Sequence, residues 1–175
     1  MSFGIGGGLS PELSAGQVVV ADRVILPDGR EVRTDESWRD RLLAALSPSV
    51  NTIVGPVVGS ETIVADPQEK QIIYRQTGAI AVDMESHRVA KVATAEGVPF
   101  LIIRAVSDTS IQGIPESAMG AINENGTPRY GKVISGLFRQ PGDLPKLMRL
   151  SKDTNHALAS LRGVALTIGS LFRLD

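Results

Sequence analysis

The strongest apolar patterning lies in residues 78–110, GAIAVDMESHRVAKVATAEGVPFLIIRAVSDTS. Two runs, AIAV and VPFLIIRAV, have the length and β-branched content of buried strands, and a helical segment separates them. Each run ends in carboxylates, Asp83 and Glu85 after the first and Asp108 after the second. Ligands of open α/β sheets bind outside the carboxyl ends of the strands, so two neighbouring parallel strands here would bring both acidic groups to one cleft. The helix between them is predicted over residues 84–96, with Gly97 ending it. Glu85, Val89, Val92 and Ala93 share one face by their spacing, which places Glu85 inward.

The N-terminal segment SFGIGGGLSPELSAG reads as a glycine-rich loop around Gly4, Gly6, Gly7 and Gly8. Such a loop is either a tight turn or a place where backbone amides approach a ligand. It lacks the G-x-x-x-x-G-K-[ST] spacing of a phosphate-binding loop. QVVVADRVILPDG then gives a strand interrupted at Asp22 and Arg23, a turn at Pro27-Asp28-Gly29, and a hairpin partner in residues 30–33. Asp35 or Thr34 caps a helix starting near Glu36, whose apolar side uses Trp38, Leu42, Leu43 and Leu46. NTIVGPVVGSETIV is a strand interrupted at Gly55-Pro56, with a loop at 59–62. Asp66-Pro67 opens a helix that closes near Gly78.

Residues 110–131 are punctuated by glycine and proline and hold one short helical candidate, ESAMGAI, in what reads as a flap over the cleft. KVISGLFRQ suits a helix ended by Pro141-Gly142, and a long final helix follows. Leu147, Leu150, Leu158, Leu161, Ala165, Ile168 and Phe172 mark its apolar stripe.

A chain of 175 residues is long enough to bury a core as one domain, residues 1–175. It has no cysteine, which excludes disulfides, thiolate metal sites and cysteine nucleophiles. Eighteen basic against nineteen acidic residues leave a formal charge of -1, so a nucleic-acid partner is not expected. No apolar run reaches membrane-spanning length and the opening lacks a signal-peptide pattern, so a cytoplasmic location is expected. The two histidines, His87 and His156, stand in no ligand-spaced motif, and no metal is expected.

Each candidate residue has a structural reading beside its chemical one. Glu85 is an N-terminal cap or an ion-pair partner of Arg104, against a hydroxyl acceptor for a bound sugar. Asp108 caps the turn after its strand, against a catalytic acid. Met84 and Trp38 read as core, and His87 as a solvent-facing helical residue.

Taken together, SFGIGGGLSPELSAGQVVVAD, VDMES and VPFLIIRAVSD resemble the purine nucleoside phosphorylase and nucleosidase superfamily. The resemblance implies a nucleoside-phosphorylase-like three-layer α/β/α fold with a mixed central sheet. More narrowly, VDMESHRVAKVATAEGVPFLIIRAVSDTS with the tail RQPGDLPKLMRLSKDTNHAL is similar to the hopanoid-associated phosphorylase family. That likeness implies removal of adenine from adenosylhopane during bacterial hopanoid synthesis. Carried over by motif, Glu85 accepts hydrogen bonds from ribose hydroxyls, Met84 packs against the sugar, and Asp108 with Ser107 holds a proton at the purine N7. The segment ending at Ile63 lies along the base, with Thr62 where an aromatic residue is usual. No cofactor is implied; phosphate is a possible co-substrate, with Gly4 to Gly8 and Arg104 as its visible donors.

Family members begin with a further strand and glycine loop, so the resemblance implies that this chain lacks a strand-helix-strand unit of about 30 residues or more at its front. From that follow three expectations: a bare central strand edge, a homo-oligomer covering it, and weak or no catalysis. Leu171 and Phe172 are candidates for lipid or partner contact. The alternative to an enzyme is a non-catalytic nucleoside-binding or oligomer-forming remnant.

Overall fold

The computed structural model describes residues 1–46, 50–115 and 141–171. In chain order these form β1 (Ser2–Gly8), β2 (Val18–Ile25), β3 (Glu31–Arg33), α1 (Glu36–Ala45), β4 (Thr52–Gly59), α2 (Pro67–Thr77), β5 (Ala81–Asp83), α3 (Ser86–Glu96) and β6 (Ile102–Asp108). A single 3-10 turn (Pro141–Asp143) and the long helix α4 (Leu144–Leu171) follow.

The strands form one mixed α/β sheet in the order β3-β2-β4-β5-β1-β6, and β6 also pairs with β2. Five strands thus close into a ring of pairings, with β3 hung on β2. β2 with β4, β4 with β5 and β1 with β6 are parallel; β1 with β5, β2 with β3 and β2 with β6 are antiparallel.

Three expectations change here. The glycine-rich opening is the strand β1 rather than a loop, because its glycines let it run closely between β5 and β6. A Cβ at Gly6 would stand 2.9 Å from the Val82 carbonyl oxygen. β5 and β6 are neither neighbours nor parallel; β1 lies between them, antiparallel to one and parallel to the other. The expected bare edge is filled only in part among the described strands: β6 closes onto β2, and β1 pairs with β6 along residues 2–7 but with β5 only at Gly7 and Gly8.

β2 shows why the sheet is a core. Val18 and Val20 face one cluster with Leu42, Leu101, Ile103, Ala157, Leu161 and Val164, whereas Val19 and Ala21 face another with Ala90, Ala93, Phe100 and Ile102. α1 and α4 therefore cover one face and α3 the other, the arrangement that continuous apolar strands require. Trp38 packs at the margin of the first cluster, as core. A third cluster, with Leu9, Val58, Val64 and Val82, packs against Ile73 and Tyr74 of α2.

The capping signals hold. Asp35 accepts from the Trp38 amide, Asp66 from Gln68 and Glu69 with proline following, and Gly78 and Gly97 end their helices in the left-handed region. The inward face of α3 does not match the predicted one. Ser86, His87, Ala90 and Ala93 are buried, while Val92 is exposed and Glu85 precedes the first turn as its cap residue. Small Ala90 and Ala93 allow close approach to the sheet, and that rotates the helix away from the stripe drawn through Glu85. α4 likewise buries Ala157, Leu161 and Val164, leaving Leu158 exposed. The expected flap, the helix in KVISGLFRQ, Phe172 and the side chain of Leu171 lie outside the described residues. Among the described residues no helix is long and apolar enough to cross a membrane.

Candidate active site

Two buried ion pairs flank β1. On one side, Asp108 at the end of β6 meets Lys70, the buried residue of α2, and their side chains are 5% and 0% exposed. Lys70 Nζ donates to Asp108 Oδ2 and, at 2.9 Å each, to the carbonyl oxygens of Thr109 and Gln112. An ammonium has three donors, and all three are used. Asp108 Oδ1 accepts from Ser107 Oγ at 2.7 Å, so both of its oxygens are engaged. The Gln112 side chain ties this turn to α4, receiving the Thr109 amide at 2.6 Å and donating to Asp153 Oδ2 at 2.6 Å.

On the other side, Arg104 at mid-β6 donates from Nε to Asp83 Oδ2, from Nη1 to the Ile103 carbonyl (2.9 Å) and from Nη2 to Ser2 Oγ (2.7 Å). Asp83 also caps α3, its Oδ1 accepting the Ser86 amide at 3.0 Å and its Oδ2 the Ser86 hydroxyl. Burying these charges is tolerable because each is paired and hydrogen-bonded. Arg104 Nη2 lies 3.6 Å from Glu85 Oε2, the ion pair foreseen as the structural reading of Glu85. The Glu85 side chain is nevertheless 71% exposed and makes no side-chain cap bond, so it faces out of the cluster rather than inward.

Successive residues of a strand point to opposite faces. A Cβ on Gly6 would meet the Arg104 side chain, and one on Gly7 would stand 3.3 Å from Asp108 Oδ2. β1 therefore separates the Asp83–Arg104 group from the Lys70–Asp108 group, and Gly4 stands beside Arg104, opposite it in the ladder.

One segment joins the two groups. After β4, the Ser60 amide donates to the Asp83 carbonyl at 2.7 Å, and five residues on, the Ala65 carbonyl receives the Ile114 amide at 3.0 Å. Residues 60–65 thus run from the VDMES motif to the turn that follows Asp108. The Ser60 hydroxyl braces them by bonding the Thr62 carbonyl and amide. Ile63 and Met84 are exposed apolar side chains on this path, so Met84 is not core.

His87 is buried, not solvent-facing. Gly59 makes room for it: a Cβ there would fall on His87 Cβ and stand 2.6 Å from Nδ1. His87 Nε2 lies 3.1 Å from Glu61 Oε1, and Arg88 reaches the other oxygen at 3.3 Å. The Arg88 hydrogen bond is the main cause holding the Glu61 carboxyl below its usual range.

Sequence reasoning did not single out Lys70. The available signal was its place three and four residues before Ile73 and Tyr74, on the stripe of α2 that packs inward.

A mixed sheet with helices on both faces, a serine-aspartate pair ending one strand and an acidic helix start ending another define a known class. The phosphorylase superfamily model matches residues 1–137, and the chain belongs to that superfamily. Within it, the chain is 33% identical over 123 residues to the futalosine hydrolase of Streptomyces coelicolor, covering 62% of this chain and 52% of that one. It is 29% identical over 145 residues to the 5'-methylthioadenosine/S-adenosylhomocysteine nucleosidase of Mycobacterium bovis, covering 60% and 56%. The chain thus spans about half the length of the curated relatives it matches. The crystal structure of the Helicobacter pylori 5'-methylthioadenosine/S-adenosylhomocysteine nucleosidase with butyl-thio-DADMe-Immucillin-A shares the fold. Its TM-score is 0.65 at 17% identity, over 96% of this chain and 66% of that one.

Proposed function

We propose that this chain cleaves the N-glycosidic bond of a purine nucleoside, releasing adenine with water as the acceptor. The observation that carries the reading is the 60–65 segment, tethered at one end to Asp83 and at the other to the turn after Asp108. A nucleoside lying along it has its sugar beside Met84 and Glu85, its base beside Ile63, and its N7 toward Asp108 and Ser107. Departure of the base leaves positive charge on the ribose and negative charge on the purine. Asp108 relieves the second by giving its proton to N7, and Glu85 grips ribose hydroxyls against the first.

Water fits better than phosphate. Arg104, the visible cation, is committed to Asp83, Ser2 and the Ile103 carbonyl. The named relatives, a hydrolase and a nucleosidase, agree with that choice. The sequence likeness to the hopanoid-associated family extends the proposal to adenosylhopane, whose long apolar 5' substituent would bring a lipid surface close. Exposed Phe3 and Ile5 on β1 favour association of copies into a homo-oligomer.

A second reading is favoured by one observation, an Asp108 whose two oxygens are already occupied. On that reading the chain binds nucleosides without turning them over. The test is incubation with adenosine and 5'-substituted adenine nucleosides, with and without phosphate, following free adenine. Release independent of phosphate, lowered by about 10²–10⁴ in Asp108→Asn, supports the enzyme. Binding without release supports the second reading.

A further inference from the structure

Lys70 is the one fully buried residue of α2, on a helix that is otherwise largely exposed. Its burial has no obvious gain in stability. A buried ion pair replaced by apolar groups of similar volume is often neutral or stabilising, so the pair by itself argues little about holding the fold. What the lysine does is place a positive charge on the one carboxyl group next to Ser107, at the point where the 60–65 segment ends. Two carbonyl acceptors, Thr109 and Gln112, fix the ammonium from behind. It is therefore positioned rigidly, not as a mobile surface charge.

We propose that Lys70 is the positioning residue of the proton donor, set to stabilise the carboxylate that Asp108 becomes once its proton has passed to the purine N7. This rests on the purine site proposed above. Asp108 rests as the carboxylate of the ion pair, takes up a proton as the nucleoside binds and passes it to N7, and the C1'–N9 bond breaks with its electron pair going to the base. The attacking water releases a proton in turn, which regenerates the pair with no net change. The ammonium interacts more strongly with the product of the proton transfer than with the neutral acid, so its effect is greatest as the bond breaks. The same charge makes the site an acceptor for a purine that already carries hydrogen at position 7.

The experiment compares two nucleosides that cannot be cleaved through N7 protonation. 9-Deazaadenosine bears N7–H and donates; 7-deazaadenosine carries C–H there and does neither. The unmodified chain should bind the first about tenfold or more tighter, the range of one charge-assisted hydrogen bond. Lys70→Met should reduce that ratio about tenfold, and Lys70→Arg should keep part of it. A role confined to holding the turn would weaken both ligands equally and leave the ratio intact, and that result overturns the proposal. Should Lys70→Met fail to fold, the unmodified chain still decides: equal affinity for the two analogues overturns the inference. Binding of neither analogue overturns the purine site itself, and the role of Lys70 with it.

Discussion

Arg104 reaches from the middle of β6 across the glycine face of β1 to Asp83 at the tip of β5, and neither side chain is more than 4% exposed. The contact links two strands that are not neighbours and fixes the start of α3, since the same carboxylate caps that helix. Removing one partner leaves an uncompensated buried charge. Arg104→Met or Asp83→Asn should each cost about 3–5 kcal/mol in denaturant unfolding, and a cost under about 1 kcal/mol would contradict this account.

Glu85, two residues on, behaves differently because it is exposed. Glu85→Gln should leave unfolding stability within roughly 0.5 kcal/mol. Its effect belongs to the ligand: loss of a charged acceptor for ribose hydroxyls should weaken nucleoside binding about tenfold or more in calorimetry. A stability loss comparable to that of Asp83→Asn would show that Glu85 is part of the core network instead.

Gly59 is the position where β4 and the first turn of α3 meet. Gly59→Ala should destabilise by roughly 1–3 kcal/mol or more through overpacking. The nearest obstacle is His87 Cβ, which alanine also carries, so His87→Ala in the same chain should give no rescue. A thermal melt of the double variant recovering to that of His87→Ala alone would refute the steric reading.

Asp35 supplies a pH dependence of known sign. Its carboxyl is held below the ordinary value, first by the Trp38 amide and then by the Ser37 hydroxyl. A depressed group contributes stability above its unfolded value of about 3.9 and loses it as pH falls through the lower folded value. Amide exchange in the first turn of α1 should therefore quicken as pH drops below about 4, relative to the intrinsic rate, and Asp35→Ala should remove that dependence.

Local chemistry made much of the fold legible. Asp35, Asp66-Pro67, Gly78 and Gly97 act through bonds to residues a few positions away, so their meaning survives without knowledge of the tertiary structure. β1 was illegible for the opposite reason: its glycines serve close approach by β5 and β6, which only the assembled sheet imposes. His87 and Lys70 are polar residues made interior by a space at Gly59 and by a carboxylate 38 positions away. The candidate site was half visible. Asp108, Ser107, Met84 and Glu85 stood out through their motifs, but the tether along 60–65 and the cation beneath Asp108 depend on contacts distant in sequence.

The closed circuit of strands has a mechanical consequence. In an open sheet the outermost strand can peel away one ladder at a time, whereas here β1 is bound to β6 along most of its length and to β5 at Gly7 and Gly8, and β6 is bound in turn to β2. Detaching β1 means breaking the β6 ladder together with the short β5 contact, so loosening of this strand is coupled to the central core.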